Sequence, residues 1–234
     1  MRVRDYRLPH TIFRHRFGTC CRRALSGALL SAAVISAARS DPAPTAPQDL
    51  NFDIVRNGAV VGRHQIIFRR AGELLRVESD VTINITLLFF SLYRYTQTRE
   101  EVWRSGKLIA FASRSNDDGT PYDIKGEAEP DGVKVTSGKL SWILPANSVP
   151  ASYWNMSTVT AKGPLVDAQS GRVIDVKPMR VGDETVMAGR RPIVASHYRI
   201  VAETPRDVWY DASGRWVKLR MAGEDGSLIE WVLK

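Results

Sequence analysis

Few residues in the sequence have the types and spacing that catalysis or metal binding requires. After residue 40 the chain has two histidines, His64 and His197, each inside a run typical of a strand, and no cysteine. A zinc site or a nucleophilic triad needs partners at suitable spacing, and the sequence has no His-x-x-x-His pair and no Gly-x-Ser-x-Gly motif. We therefore predict no metal, no cofactor and no catalytic residue, and expect both histidines to face solvent or to be hydrogen-bonded.

Two groups of acidic residues have neighbours that could make them catalytic acids, bases or calcium ligands. Glu100 and Glu101 are adjacent, and in a strand adjacent side chains point to opposite faces, which opposes a paired acid/base role. Asn116-Asp117-Asp118-Gly119 also places its polar residues next to one another, whereas a calcium loop spaces its ligands at alternate positions. This sequence instead predicts a tight hairpin turn at Asp118-Gly119.

The positive charge of the chain is concentrated in its first 40 residues. The sequence has 33 Lys plus Arg against 25 Asp plus Glu, and residues 1–40 hold eight of these arginines and one of these acidic residues. The remainder therefore has 33 − 8 = 25 basic and 25 − 1 = 24 acidic groups, a net charge of +1. A nearly neutral body lacks the basic footprint that grips phosphates, so we predict no nucleic-acid partner.

Residues 1–40 have the order of parts found in an export signal. Arginines continue to Arg23, and an apolar run of 15 residues follows from Ala24 to Ala38. A membrane-spanning helix needs about 20 apolar residues, so the run predicts a cleaved signal, with cleavage between Ala38 and Asp41, and no transmembrane anchor in the mature chain. We expect a flexible spacer at 41–49, a single β-rich domain at 50–234, and a periplasmic or secreted location.

Period-2 alternation dominates the predicted domain. From Leu75 to Leu87 apolar and polar residues alternate with one lapse, at Ser79, which is typical of a strand buried on one face and favours an antiparallel sheet. Turn dipeptides such as Asn57-Gly58 separate such runs. We predict a mainly β fold: a curved antiparallel sheet of hairpins, a half-barrel or open barrel, with one or two short helices over the concave face. The best helical candidate is Pro150–Thr158, with Pro150 at its first position.

Two tryptophans occupy matching places in two similar stretches of sequence. Trp103 and Trp209 each precede a glycine turn, a second strand and an acidic-Gly turn. The similarity has two explanations, an internal duplication or the common residues of hairpin turns. Under either explanation we expect both tryptophans to pack into the core.

Several short motifs occur in a characteristic order. They are Phe52-Asp53-Ile54, Arg56-Asn57-Gly58, Val61-Gly62-Arg63-His64, Tyr93-Arg94-Tyr95, Glu100-Glu101-Val102-Trp103, Gly106-Lys107-Leu108, Ser115-Asn116-Asp117-Asp118-Gly119, Ser152-Tyr153-Trp154-Asn155 and Asp207-Val208-Trp209-Tyr210. In this order they resemble a bacterial exported family of unknown function, domain-of-unknown-function family 6134, over most of residues 50–234. The resemblance implies no activity and no site residue. The order of elements is also similar to periplasmic lipoprotein-carrier half-barrels, which implies an architecture only.

Two stretches crowd apolar and aromatic residues together. The run Leu87–Tyr93 breaks the preceding alternation, so it is either a strand end buried on both faces or the lip of an apolar cavity. Tyr153–Met156 lies in the helical candidate and could cover such a cavity. We predict a ligand site lined by Leu88, Phe90, Tyr153 and Trp154.

Two classes of function agree with these features. One is a non-enzymatic exported binding or interaction module for an apolar, lipid-like small molecule or an envelope protein. The other is an envelope hydrolase that uses the scattered carboxylates Glu101, Asp117 and Asp123. An enzyme needs titratable groups that converge in one pocket, whereas a carrier needs an apolar cavity, and the absence of catalytic spacing favours the binding module. The sequence makes no prediction of oligomeric state.

Overall fold

A computed structural model of the protein describes residues 46–87, 90–160, 162–174, 176–202 and 204–234. The predicted export signal at 1–40, most of the predicted spacer, and Leu88 lie outside these residues. All described residues belong to one compact unit.

Eight consecutive strands, each antiparallel to the next, form the first part of the main sheet. Their bounds are β1 (Leu50–Arg56), β2 (Ala59–Ala71), β3 (Leu74–Leu87), β4 (Phe90–Arg104), β5 (Lys107–Asp117), β6 (Thr120–Glu129), β7 (Gly132–Ser137) and β8 (Leu140–Leu144). The turn at Asp118-Gly119 has φ of 47° and 99°, the positive pair that a two-residue hairpin of type I′ requires. The predicted turn and the predicted long strand, here β3, are both confirmed.

Five later strands complete the main sheet. They are β12 (Lys177–Ala188), β13 (Arg191–Val201), β14 (Arg206–Asp211), β15 (Trp216–Ala222) and β16 (Leu228–Leu233). The 13 strands follow the order β12-β13-β14-β15-β16-β1-β2-β3-β4-β5-β6-β7-β8. Within the described residues β12 and β8 are its two edges and do not pair with each other, so the sheet is open. The prediction of a mainly β, antiparallel, open sheet is confirmed.

The chain between β8 and β12 forms a separate small layer, called the inner segment (residues 149–174). It contains β9 (Val149–Pro150), the one-turn helix α1 (Ser157–Thr160), β10 (Leu165–Val166) and β11 (Val173–Ile174), and its strands form their own sheet in the order β11-β10-β9. In the part of the chain that the structure describes, no helix has the length and apolar character to span a bilayer.

The predicted start of the helix was wrong. Pro150 lies in β9 and pairs with Val166, so it is extended and not helical. The helix begins at Ser157 because the Asn155 side chain accepts a hydrogen bond from the Ser157 backbone N–H at 2.9 Å, which caps the first turn.

The inner segment packs against one side of the main sheet, here called the inner face. Apolar side chains of β1 to β4, α1 and β12 to β16 form the larger core, and a smaller cluster joins Phe111 and Val135 of the main sheet to Val166 of the inner segment. Trp103 and Trp209 are 5% and 2% exposed, which confirms that both are buried. They lie on different faces of the sheet. Tyr210 points to the inner face, because its hydroxyl donates to the Tyr153 carbonyl of the inner segment, and the adjacent Trp209 therefore points to the outer face.

Candidate functional site

Polar side chains line the inner face at the middle of β4. Gln97, Arg99 and Glu101, here called the polar column, lie at alternate positions of the strand and therefore share its inner face. They are only 7%, 7% and 1% exposed. The inner segment covers this part of the face, since the Ala168 carbonyl accepts a hydrogen bond from Gln97 and Trp154 donates one to Glu101. Buried charged residues are rare unless they are paired, so the residues that contact the polar column indicate its role in the fold.

Glu101 is the only buried carboxylate in the described ranges, and it has three cationic or N–H partners. Arg99 Nε lies 3.0 Å from Glu101 Oε1 in an ion pair without hydrogen-bond alignment. The indole N–H groups of Trp103 and Trp154 both donate to Glu101 Oε2, at 2.9 Å and 3.0 Å. The carboxylate thus ties the inner segment, through Trp154, to the main sheet.

The ring of Trp154 is enclosed by aromatic neighbours. Its centroid lies 5.3 Å from that of Phe68 and 5.6 Å from that of Trp103, both in edge-on geometry, an arrangement that aromatic pairs prefer. Phe68, Glu101 and Trp103, here called the indole cage, therefore contact both the ring and its N–H.

Tyr153 anchors the inner segment next to Trp154. Its hydroxyl accepts a hydrogen bond from Arg206 at 2.7 Å, and its ring lies 5.7 Å from that of Trp216. Burial raises the pKa of the Tyr153 hydroxyl, and the nearby charge of Arg206 opposes that rise. The backbone at Tyr153 has φ of 57°, a left-handed conformation that is uncommon outside glycine. This turn directs the adjacent Tyr153 and Trp154 rings to different pockets of the inner face.

His64 is buried in β2 and is neutral at physiological pH. Its Nε2 lies 2.8 Å from Ser79 Oγ, and its Nδ1 is buried without a hydrogen-bond partner among the described residues. Burial, and secondly the charge of Arg99, lower the pKa of His64 to about 3. Its hydrogen-bonded state is one of the two that the sequence predicts. Ser79, the single lapse in the alternation of β3, is its partner.

A cavity of about 570 Å³ opens beside Trp154 and is here called the Trp154 cavity. Its lining is mixed: apolar side chains come from Leu50, Phe68, Trp154, Met156 and Trp216, and polar ones from Gln48, Asn155, Asp211, Ser213 and Arg215. Its rim includes the ion pair of Arg215 with Asp211, whose Nε and Oδ2 are 3.0 Å apart. This volume falls within the range of about 300 to 1,000 Å³ that is typical of small-molecule sites.

A second concavity, of about 410 Å³, lies across β2 to β5 and is lined mainly by their outward side chains. Its lining includes Glu78, Asp80, Glu100 and Arg114. Ion pairs join Glu78 to Arg69 and Arg114 to Asp123 at 3.5 Å and 3.1 Å. A charged and exposed surface of this kind favours water over an apolar ligand.

The structure brings together only part of the predicted ligand site. Tyr153 and Trp154 lie together on the inner face, whereas Phe90, at the start of β4, is 71% exposed. Trp154 contacts Trp103, which follows Phe90 by 13 positions on that strand, about 40 Å of chain at the usual rise per residue. One small-molecule cavity does not reach both ends, so the Phe90 contribution stays a prediction separate from that of Trp154.

The carboxylates considered for hydrolysis do not converge. Glu101 and Glu100 point to opposite faces, as predicted, with side chains 1% and 43% exposed. Asp117 accepts a hydrogen bond from the Tyr93 hydroxyl at 2.8 Å and lies opposite Tyr95, about 20 Å along β4 from Glu101. No group of three or more potential metal ligands occurs in the described ranges.

His197 belongs to a charged network on the outer face. Its Nδ1 lies 3.1 Å from Glu184, its Nε2 lies 2.8 Å from Asp207, and its ring stacks on Trp209 at 4.5 Å. Burial alone would raise the pKa of Asp207, but hydrogen bonds from Arg199, His197 and Arg220 together lower it. The network covers Trp209 and joins β12 to β14, which is a structural role.

The sequence predicts only one member of the polar column, Glu101, and only as one of three scattered carboxylates. A search for apolar alternation passes over β4, where Gln97, Arg99, Glu101 and Trp103 share one face. Two features of the sequence could have indicated the column. Strand β4 is long and neither of its faces is continuously apolar, and the alternation of the neighbouring strand β3 is interrupted at Ser79.

Comparison with known proteins places the fold and the family. The solved structure of a beta-barrel-like protein of domain of unknown function DUF1849 from Brucella abortus is similar, with a TM-score of 0.59, 11% identity, and coverage of 82% of this chain and 98% of that one. At this identity the similarity concerns the fold alone. No curated protein matches the chain. The family described as Domain of unknown function (DUF6134) matches residues 52–234, and the chain belongs to this family.

Proposed function

We propose that the protein is an exported, non-enzymatic binding module that takes an apolar small molecule into the Trp154 cavity. The observation that carries this proposal is the set of apolar side chains in the lining of the cavity, which β1, β2, β15 and the inner segment contribute together. The scattered positions of Glu101, Asp117 and Asp123 give the hydrolase alternative no comparable support.

The size of the cavity sets the expected affinity. A ligand that buries about 300 Å² of apolar surface gains roughly 7 kcal/mol at about 25 cal/mol per Å². Loss of translational and rotational freedom offsets at least about 4 kcal/mol of that gain. The remaining gain of at most about 3 kcal/mol corresponds to dissociation constants in the millimolar range or weaker for a ligand that buries no more surface than this and makes no polar contact.

Export of the chain rests on the sequence of residues 1–40. The arginines before a 15-residue apolar run and the small residues at its end support a cleaved signal. A periplasmic or secreted location follows from this proposal, and the cavity would then meet ligands of the bacterial envelope.

A second candidate function is contact with an envelope protein at the tip of the β3–β4 hairpin. Phe90 and Leu92 are 71% and 54% exposed there. Exposed apolar side chains that lie close together are typical of interaction sites. This candidate needs no cavity, so titration with an apolar probe distinguishes it from binding in the Trp154 cavity.

The test is titration of the purified protein with the neutral apolar fluorophore N-phenyl-1-naphthylamine. The wild type is expected to take up the probe saturably, and Met156→Trp, which fills the cavity, is expected to weaken uptake by about tenfold or more, equivalent to about 1.4 kcal/mol. Phe90→Ala, at the distant hairpin tip, serves as the matched control and should leave uptake unchanged. Circular dichroism establishes that each variant is folded.

Two results would contradict the proposal. One is the absence of saturable uptake by the wild type. The other is uptake that Phe90→Ala reduces and Met156→Trp does not, which would place the apolar site at the hairpin tip.

A further inference from the structure

The indole cage has a feature that apolar packing does not need, a buried carboxylate. Burying an ion pair such as Arg99–Glu101 gives little or no net stability compared with apolar residues of the same volume. Yet Glu101 is 1% exposed, and its Oε2 accepts from two indole N–H groups. The position of this oxygen matches N–H donors held at the edge of flat aromatic rings.

One of the two N–H donors is Trp154 of the inner segment, whose backbone hydrogen bonds are separate from those of the main sheet. The strands of the inner segment pair with one another and not with the main sheet. The inner segment is attached to the inner face by side-chain contacts, some of them long, such as Gln97 to the Ala168 carbonyl at 3.4 Å and Tyr95 to Gln169 at 3.3 Å. Trp154 therefore occupies the cage as the side chain of a distinct layer, whereas Trp103 is part of β4.

We propose that the indole cage is a recognition site for a planar bicyclic aromatic group with one N–H donor, and that Trp154 is its internal occupant. Phe68 and Trp103 supply the aromatic walls, and Glu101 selects for the donor. A ligand that replaces Trp154 must also replace its N–H, because Glu101 Oε2 would otherwise lose a hydrogen bond in a buried site. The ligand class is therefore indole-like. This inference does not depend on uptake of an apolar molecule by the neighbouring cavity.

The test removes the Trp154 ring from the indole cage and measures the binding of two ligands of the same shape. Trp154→Ala is titrated with indole and with benzofuran, which has the same bicyclic outline and no N–H, and binding is measured by calorimetry. Indole is expected to bind about tenfold tighter or more, because a hydrogen bond to a charged acceptor contributes at least that much. The wild type should bind indole about tenfold more weakly or worse, since its tethered Trp154 competes at high effective concentration.

A cavity without an acceptor provides the control. In Trp154→Ala combined with Arg99→Met and Glu101→Leu, apolar side chains replace the buried ion pair, so indole and benzofuran should bind alike. If Trp154→Ala does not fold alone, the two ligands are compared by their ability to restore a cooperative unfolding transition.

Several results would overturn the inference. They are equal effects of indole and benzofuran on Trp154→Ala, no effect of indole on binding or on folding, and wild-type binding of indole as tight as that of the variant. Each is independent of N-phenyl-1-naphthylamine uptake, so failure here and failure of the proposed function remain distinguishable.

Discussion

Replacement of Glu101 by glutamine tests whether the buried carboxylate organises the interior. The carboxylate presents two acceptor oxygens, with Oε1 beside Arg99 and Oε2 receiving the indole N–H groups of Trp103 and Trp154. A glutamine amide has one oxygen and one NH₂ group, so a donor faces another donor in either orientation. The change also leaves the buried Arg99 guanidinium without its countercharge.

The size of the effect follows from these losses. Removing one partner of a buried ion pair destabilises a protein by about 3 to 5 kcal/mol. With a urea m-value of about 2 kcal/mol per molar, a typical value for a domain, the unfolding midpoint should fall by roughly 1.5 to 2.5 M. Trp154 should loosen as well, because the hydrogen bond that holds it is lost or weakened.

The assay is urea unfolding followed by circular dichroism and tryptophan fluorescence, with Glu100→Gln as the control. Glu100 is the adjacent residue, its side chain is 43% exposed, and it forms an ion pair with Arg76 on the surface. Its replacement should cost no more than about 1 kcal/mol. Equal midpoints for Glu100→Gln and Glu101→Gln would refute the reasoning, because they would show that Glu101 is hydrated or dispensable.

Three further predictions concern other parts of the chain. Trp103→Ala and Trp209→Ala should each lower the free energy of unfolding by about 3 to 5 kcal/mol, measured in urea, and unchanged midpoints would show that the rings are exposed. The pKa of His64 is about 3 in the fold against an ordinary 6.5, so between these values the unfolded chain binds the proton and the folded chain does not. Stability should therefore fall as pH decreases from 6.5 towards 3, by up to about 1.4 kcal/mol per pH unit, and His64→Gln should remove that part of the slope in chemical denaturation from pH 6.5 to 4.5. Amino-terminal sequencing of envelope-purified protein should find a start between Ala38 and Asp41, and a mature chain that keeps Arg23 would contradict export by a cleaved signal.

Local patterns predict the hairpins well because their causes are local. Alternation in β3 and the Asp118-Gly119 turn depend only on neighbouring residues, and both appear where the sequence places them. The opposite faces of Glu100 and Glu101 follow in the same way from strand geometry.

Features that depend on distant contacts could not be predicted. The Trp154–Glu101 hydrogen bond joins residues 53 positions apart, and nothing local to either residue indicates the other. The matching sequence positions of Trp103 and Trp209 suggest equivalent environments, yet one packs on the inner face and the other on the outer face under His197. The difference arises from how β12 to β14 pair and curve, which alternation alone does not encode.

The position of β1 in the middle of the sheet has a consequence for the order of folding. It pairs with β2 on one side and with β16 on the other, and Phe52 lies opposite both His64 and Leu233. The first pairing can form as soon as a hairpin is made, but the second must close a loop of more than 170 residues. Such high contact order slows the final step. Until it is complete, β1 exposes a free edge through which two chains could associate, so the refolding yield should fall with protein concentration.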